Sequence, residues 1–210
     1  MKKIYLVRHG ETNWNIQGRT QGWQDSSLTN EGLRQASLVA ERLKWEKIDV
    51  VFSSNLKRAK STAHIIADEL NVPCHLTEGL KEMGFGLWEG LTVEEIRQQF
   101  PNELDQWHTT PHTAMIPEAE DLIAAQKRMV YFFEEVIQRE EENILLVSHG
   151  TSIKLLLMFF LGMSMADFYK LKQDNCAINL IEFRQRGPVL IKYNDTSYRE
   201  ILLKGDFDGK

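Results

Sequence analysis

The sequence predicts an α/β fold of three layers, an α/β/α sandwich with helices on both faces of a mostly parallel central sheet. Three short apolar runs, at residues 4–7, 50–52 and 144–147, each end abruptly in polar residues or glycine. That pattern is typical of parallel strands buried on both faces. Helical patterns lie between the runs, and strands that alternate with helices imply βαβ crossovers.

Amphipathic stripes with three- and four-residue steps predict the helices between the strands. The first stripe follows Thr29, which we expect to cap its helix, and the second follows Ser53-Ser54-Asn55, which we expect to cap the next. A third stripe runs through residues 122–136. The apolar positions are Leu33, Ala36, Ala40 and Leu43, then Ala59, Ala63, Ile66, Ala67 and Leu70, then Leu122, Ala125, Met129, Phe133 and Val136.

The last third of the chain predicts a β-hairpin, with strands at 177–183 and 189–193 joined through Arg186-Gly187-Pro188. Residues 100–117 carry three prolines and two histidines, and we expect them to be irregular. They belong to a loop-rich insert on the substrate side, about 84–120. Repeats, low-complexity segments and linkers are absent from the 210 residues, so we expect 1–210 to form a single domain.

Composition narrows the functional class. The net charge of −5 disfavours a nucleic-acid partner. The longest apolar stretch, 153–161, is far shorter than the roughly 20 residues of a membrane span, and Lys154 interrupts it. The N-terminal apolar run, 4–7, is too short for a signal peptide, so we expect a cytoplasmic protein. Cys74 and Cys176 show no metal-type spacing.

Polar residues follow each predicted parallel strand, and ligands of such sheets bind beyond the carboxyl ends of the strands. Arg8-His9 follow the first strand, Arg58 comes soon after the second, and His149-Gly150 follow the third. Two guanidinium groups and two imidazoles repel one another unless an anion neutralises them, and guanidinium groups match phosphate oxygens. Gly150 opens a helix whose free N–H groups also favour an anion. These residues predict a phosphate pocket.

Five sequence blocks then carry a resemblance to a known family. They are Arg8-His9-Gly10-Glu11-Thr12 with Asn15, Gln21-Gly22 with Leu28-Thr29 and Glu31-Gly32, Ser53-Ser54 with Leu56, Arg58 and Ala59, Glu82 with Phe85-Gly86 and Trp88-Glu89-Gly90, and Ser148-His149-Gly150. In this order they resemble the histidine phosphatase (phosphoglycerate mutase-like) superfamily over nearly the whole chain. The pattern is most similar to bacterial broad-specificity phosphatases and α-ribazole phosphatases.

The resemblance implies a role for each matching residue. His9 matches the nucleophile that carries a phosphoryl group, oriented by a backbone hydrogen bond to its other ring nitrogen. Arg8, Arg58 and His149 match the side chains that hold the non-bridging oxygens. Glu82 matches the general acid, which protonates the leaving alkoxide and later takes a proton from water. No metal and no cofactor is expected, because the arginines supply the positive charge.

The resemblance also concerns further positions around the predicted phosphate pocket. Asn15 matches a further phosphate contact, and the backbone near Gln21 and Gly22 lines the same mouth. The assignment of Glu82 depends on its family block, because other glutamates lie close in sequence. Relatives often have a glycine-rich block where this chain has residues 117–120, and this departure leaves the shape of that loop open.

Several aromatic residues and histidines have two readings. His64 and His75 are expected to be structural or surface residues. His108 and His112 either reach the substrate or lie in solvated loop, and solvation is favoured. Trp23, Met83, Phe85 and Trp107 either shape an apolar wall for the substrate or pack in the core.

Within the family, a metal-independent phosphomonoesterase competes with a cofactor-dependent phosphoglycerate mutase. The 67 positions between Glu82 and His149 look short for a mutase, and residues 83–86 carry no charge to grip a second anionic group. We therefore expect a phosphatase for a small phosphorylated metabolite whose organic part is not strongly anionic. A module that binds phosphate esters with little activity stays open. A homodimer, if it forms, is expected to use residues 163–168 or the last strand.

Overall fold

The computed structural model describes residues 1–200, so the last ten residues of the predicted domain lie outside the described part. Six strands form one sheet in the order β3-β2-β4-β1-β5-β6. Their bounds are Lys2–Arg8 (β1), Val50–Ser54 (β2), Cys74–Thr77 (β3), Asn143–Ser148 (β4), Ile178–Arg184 (β5) and Gly187–Asp195 (β6).

The sheet is mixed but mostly parallel, as predicted. Strand β4 lies between β1 and β2 and is parallel to both, with Arg8 paired to Ser148 and Ser53 paired to Val147. Strand β5 runs antiparallel to β1 and forms with β6 the hairpin that the sequence predicts. Strand β3 was not predicted, because its residues Cys-His-Leu-Thr contain no continuous apolar run. The carboxyl ends of β1, β4 and β2 therefore lie side by side.

Helices cover both faces of the sheet. Their bounds are Asn13–Ile16 (α1), Asn30–Leu43 (α2), Lys57–Leu70 (α3), Val93–Gln99 (α4), Pro101–Thr109 (α5), Leu122–Ile137 (α6) and Gly150–Leu161 (α7). On one face, α2 and α3 pack against alternate strand residues such as Tyr5 and Val7. On the other face, α6 and α7 pack against the intervening residues, such as Ile4 and Leu6. This alternation follows from the two-residue period of a strand.

The caps of α2 and α3 test the sequence reading. Thr29 caps α2 as predicted, since its hydroxyl accepts a hydrogen bond from Gly32 N at 2.9 Å. The prediction that 53–55 caps α3 is wrong, because β2 runs through Ser54 and the residue that precedes α3 is Leu56. The carboxylate of Asp25, from a distant loop, accepts instead from Lys57 N at 2.7 Å.

The substrate-side segment is more regular than expected. The prediction of an irregular stretch over 100–117 is wrong for residues 101–109, which form α5 with Pro101 in its first turn. Proline is well suited to that position, because its missing N–H would be unpaired there anyway. The helices α4 and α5 bury Ile96, Leu104 and Trp107 in a third apolar cluster, against residues of α7.

A candidate active site at the carboxyl edge of the sheet

The candidate site lies where β1, β4 and β2 end together. His9 follows β1, His149 follows β4, and Arg58 lies in the first turn of α3 after β2. The two imidazole rings lie with their centroids 5.2 Å apart. The parallel register of the three strands thus brings together residues that are far apart in sequence.

His9 is buried, with 3% of its surface exposed. Its Nδ1 lies 2.7 Å from Gly10 O, and a carbonyl only accepts, so the proton is on Nδ1 and the lone pair is on Nε2. Burial lowers the pKa of His9 well below its usual value, and the guanidinium groups of Arg58 and Arg8 lower it further. The ring is therefore neutral at pH 7, which is the form in which Nε2 is nucleophilic.

His149 is fully buried, and its Nε2 lies 2.8 Å from Ser54 Oγ. Its Nδ1 has no hydrogen-bond partner among residues 1–200. Burial, followed by Arg58 and His9, lowers the pKa of His149 well below its usual value. An anion beside Nδ1 would select the tautomer that is protonated there, with the Ser54 hydroxyl donating to Nε2.

Two arginines flank the imidazoles. Arg8 donates from Nη1 to Gln173 O at 2.6 Å, and burial lowers its pKa. Arg58 has a fully buried side chain that forms an ion pair with Asp25 at 2.8 Å and donates from Nη2 to Gly22 O at 2.8 Å. The Nε atoms of both arginines are buried without a partner in the described chain. Buried donors without a partner are rare, and two of them beside His149 Nδ1 indicate a site for an anion.

Glu82 is buried against the N-terminus of α7. Its Oε1 accepts from Met83 N at 2.9 Å and from Ser152 N and Ser152 Oγ, each at 3.0 Å. Among residues 1–200, its Oε2 accepts only from Thr151 N, at 3.2 Å. The helix N-terminus that the sequence predicts for phosphate thus binds the carboxylate of Glu82 through two of its N–H groups. Among the backbone N–H groups of residues 150–152, only that of Gly150 is not bound to Glu82.

A single arginine, Arg128 of α6, ties down the loop that carries Glu82. Its guanidinium group donates to the carbonyl oxygens of Glu78, Gly79, Lys81 and Glu82 at 3.0–3.3 Å. It also pairs with both carboxylate oxygens of Glu120, at 2.8 and 3.0 Å. Glu120, which lies in the 117–120 block where the chain departs from its relatives, therefore positions Arg128.

The loop residues predicted to contact phosphate lie at the same edge. Asn15 Oδ1 accepts from Thr12 N and Asn175 Nδ2, which leaves its amide N–H groups as the part that faces a ligand. Gln21 donates to Thr12 Oγ1 at 2.7 Å. At Gly22 a Cβ atom would lie 1.9 Å from Glu89 Oε1 and 2.6 Å from the backbone atom Phe85 N, so a larger residue would force the backbone to shift.

A cavity of about 540 Å³ opens over His9. The predicted residues that line it are Arg8, His9, Asn15, Gln21, Arg58, Glu82 and Gly150, whereas Gly22 and His149 are not among its lining residues. Phe85, Trp107 and His108 also line it, and the side chain of His108 is exposed to solvent there. Trp23, Met83 and His112 do not line it; Trp23 donates from Nε1 to Glu82 O instead.

Sequence reasoning missed several residues of this edge. Arg19, Lys154 and Lys172 line the cavity, and Asp25 and Arg128 position its residues. Lys154 interrupts an apolar run in the sequence, and it also falls one helical turn after Gly150. Within residues 1–200, no three His, Cys, Asp or Glu side chains come together as a metal-binding group. The helices of that part also include none long and apolar enough to cross a membrane.

Comparison with known families decides the class of this site. Residues 4–196 match the family model of the histidine phosphatase superfamily, branch 1. The chain belongs to the histidine phosphatase superfamily. The match spans nearly all of the described residues and confirms the resemblance seen in the five sequence blocks.

Curated relatives of this histidine phosphatase include enzymes of two names. "Phosphoserine phosphatase 1" of Hydrogenobacter thermophilus is 34% identical over 199 residues, which is 94% of each chain. "Probable phosphoglycerate mutase GpmB" of Yersinia pestis is 32% identical over 207 residues, which is 96% of each chain. The first name agrees with the predicted activity and the second with its alternative.

Solved structures confirm the predicted phosphoglycerate mutase-like fold. YhfR of Bacillus stearothermophilus has a TM-score of 0.90 at 30% identity, covering 94% of this chain and 99% of its own. The phosphoserine phosphatase of Entamoeba histolytica, in complex with 3-phosphoglyceric acid, scores 0.85 at 34% identity with the same coverages. The α-ribazole phosphatase of Shigella flexneri scores 0.84 at 28% identity, covering 92% and 96%. Together these relatives make the chain a phosphoric monoester hydrolase that acts on a small phosphorylated metabolite, and they favour the mutase less.

Proposed function

We propose that this histidine phosphatase hydrolyses its substrate through a phosphoryl group carried on His9 Nε2, without a metal ion. The observation that carries the proposal is the buried, neutral His9, with Nδ1 bound to Gly10 O, among guanidinium and imidazole donors that have no partner in the described chain. Such donors neutralise the charge of a phosphoryl group during transfer.

In the first step, Nε2 of His9 forms a bond to phosphorus while the bond from phosphorus to the ester oxygen breaks. The leaving alkoxide takes a proton from Glu82. Oε2 is the atom suited to carry that proton, because it has one hydrogen bond while Oε1 has two from backbone N–H groups. The donors around the carboxyl group then stabilise the carboxylate that remains after the proton has left.

In the second step, water attacks the phosphohistidine. The Glu82 carboxylate takes a proton from the water, a bond forms between the water oxygen and phosphorus, and the bond from phosphorus to Nε2 breaks. Inorganic phosphate leaves and His9 returns to its neutral form. Each group thus ends the cycle in its starting state, and no further reactant is needed.

Two alternatives make different predictions. A mutase would return the phosphoryl group to a bound intermediate, and the relative named GpmB supports this reading. The gap of 67 positions from Glu82 to His149 and the phosphatase relatives favour hydrolysis. A binding module without turnover is disfavoured because both His9 and Glu82 are present and oriented.

We infer further that the protein does not act on nucleic acid, since its net charge is −5. The cytoplasmic location stays a prediction. A membrane partner is not expected, because the longest apolar stretch is short and interrupted by Lys154. A homodimer through residues 163–168 or the last strand stays a prediction.

The test is turnover of a panel of phosphomonoesters, including phosphoserine and 3-phosphoglycerate, in excess chelator. Intact protein is compared with His9→Ala and with His64→Ala, a matched change at an exposed histidine of α3. We expect phosphate release that survives the chelator, is lost in His9→Ala and persists in His64→Ala. Exchange of phosphoglycerate isomers without phosphate release would establish the mutase, and tight binding without either reaction would establish the binding module.

A further inference from the structure

Lys154 is a cation in the cavity that the proposed chemistry does not use. It lies on α7, one turn after Gly150, and both residues line the cavity together with Thr151. Residues four positions apart share one face of a helix, about 6 Å apart along its axis. The Lys154 side chain thus enters the same cavity as the proposed phosphate site, at a distance of roughly one helical turn.

Of the four other arginines and lysines that line this cavity, three pair with carboxylates of the protein. Arg19 pairs with Glu95 at 3.1 Å and Lys172 with Asp174 at 3.0 Å. Arg58 pairs with Asp25, and Arg8 donates to a backbone carbonyl. These contacts leave little unsatisfied positive charge on the outer wall.

Lys154 differs, because no carboxylate or hydrogen-bond acceptor in residues 1–200 contacts its ammonium group. Its Nζ lies 4.3 Å from the centre of the Phe168 ring and 5.7 Å from that of Tyr169. Aromatic faces stabilise a cation without neutralising it. Burial lowers the pKa of Lys154, and the nearby Glu82 opposes that shift. A half-buried ammonium group on an aromatic wall, open to the cavity, is therefore a site for an anion.

We propose that Lys154 binds a carboxylate on the organic part of the substrate, so that the enzyme prefers short phosphorylated acids over neutral or cationic phosphate esters. The proposal rests on the proposed function, because the phosphoryl group must be held at His9 for the carboxylate to reach Lys154. It opposes the expectation of an organic part that is not strongly anionic. That expectation rests on residues 83–86, which carry no charge, whereas the positive charge here is that of Lys154 on α7.

A second role for Lys154 would give a different result. If the ammonium group acted on Glu82 alone, its removal would slow every ester that needs the general acid, whether or not the ester carries a carboxylate. A contact with the substrate carboxylate changes the ratio between matched esters instead. Phosphoserine and phosphoethanolamine provide that match, since they share the leaving alkoxide and the amine and differ by the carboxylate.

The experiment measures kcat/KM for phosphoserine and for phosphoethanolamine in intact protein, Lys154→Met, Lys154→Arg and Lys172→Met. Methionine keeps the aliphatic stem against Phe168, and Lys172→Met removes the same charge from a lysine that Asp174 already pairs. We expect Lys154→Met to lower the ratio of the two kcat/KM values by about 10- to 100-fold, as for a lost hydrogen bond to a charged group. Lys154→Arg should restore most of the ratio, and Lys172→Met should change it less than threefold.

Three outcomes would overturn the proposal. These are an unchanged ratio in Lys154→Met, an equal slowing of both esters, and an equal loss of ratio in Lys172→Met. Loss of all turnover in Lys154→Met with a native thermal transition would also overturn it, because it would make Lys154 part of the chemistry. The proposed function fails separately, through turnover that persists in His9→Ala.

Discussion

Arg128 should affect catalysis through Glu82, the proposed general acid, because Arg128 holds the loop that carries Glu82. Its guanidinium group donates to four carbonyl oxygens of residues 78–82 and pairs with Glu120 through two hydrogen bonds. Glu82 is the last residue of the loop segment that these hydrogen bonds hold. We therefore expect Arg128→Met to release that loop and to displace the general acid.

The cost in stability follows from the burial of the pair. Arg128 and Glu120 have 23% and 13% of their side-chain surfaces exposed. Exposed ion pairs contribute about 0–1 kcal/mol, and breaking a buried pair costs about 3–5 kcal/mol. This partly buried pair lies between, so we expect a loss of about 2 kcal/mol and a fall in Tm of roughly 4–8 °C. The variant should remain folded at 25 °C.

The effect on catalysis should depend on the leaving group. A misplacement of about 1 Å at a catalytic group can cost about 100-fold. An alkyl phosphate needs a proton on its leaving oxygen, whereas 4-nitrophenolate leaves without one. We expect Arg128→Met to lower kcat/KM about 30- to 100-fold for an alkyl ester and less than fivefold for 4-nitrophenyl phosphate. Arg128→Lys should be intermediate, since lysine keeps the charge but not the forked donors.

Steady-state rates for both esters, together with a thermal melt of each variant, check this reasoning. Arg97→Met, which removes an exposed arginine paired with Glu94, is the matched control and should change neither quantity measurably. An equal loss for the two esters would refute the positioning role and leave Arg128 as a residue of the fold alone. No loss for either ester would show that Glu82 does not need the loop contacts.

Three further changes test other parts of the site. Glu82→Gln should release one equivalent of 4-nitrophenol in a burst and then accumulate phosphohistidine, because the second step lacks its base; rapid-quench kinetics and intact mass measure both. Gly22→Ala should lower Tm and raise KM, because its Cβ would lie 1.9 Å from Glu89 Oε1. Gly150→Ala is the control and should keep Tm, because the nearest contact of its Cβ is at 3.5 Å. Burial lowers the pKa of His9 and His149, so below pH 6.5 the unfolded chain binds more protons. Unfolding free energy should therefore fall with falling pH, by at most about 1.4 kcal/mol per histidine per pH unit, and the loss should be smaller in His149→Asn by chemical denaturation.

The parts of the site that depend on strand ends were predictable. His9 and His149 each follow a continuous apolar run, and parallel strands place their carboxyl ends at one edge. Arg58 lies four residues after the end of β2, close enough to share that edge. This prediction does not require the strand order to be known. The structure adds that order, β2-β4-β1, and it makes the three strand ends neighbours.

The parts that depend on side chains from distant segments could not be predicted. Asp25 caps α3 from a loop, and the hydroxyl-rich 53–55 segment looked like the cap because the end of β2 could not be located to one residue. Arg128 carries no local signal for its role, since the four carbonyl oxygens that it holds lie 46 to 50 positions away in sequence. Such contacts become visible only when α6 is placed against the loop.

The stretch 92–109 shows a different failure, since its signals were present in the sequence. Thr92 and Glu95 form a reciprocal capping box that begins α4, and Pro101 begins α5. The prediction of an irregular stretch depends on three prolines and two histidines and neglects these helix start signals. A proline marks the start of a helix as readily as its end, and only the residues after it decide which.

The N-terminus of α7 explains why the proposed phosphate site uses so many side chains. In an α/β fold a helix N-terminus commonly binds the phosphate itself, but here Thr151 N and Ser152 N bind Glu82. The transferring group must then be neutralised by Arg8, Arg58 and the imidazoles. That division has a chemical reason: helix N–H groups stabilise the carboxylate at the moment it has given up its proton. The guanidinium groups of Arg8 and Arg58 supply to the phosphate the positive charge that the helix dipole would otherwise supply. They stay charged through both steps of the proposed reaction.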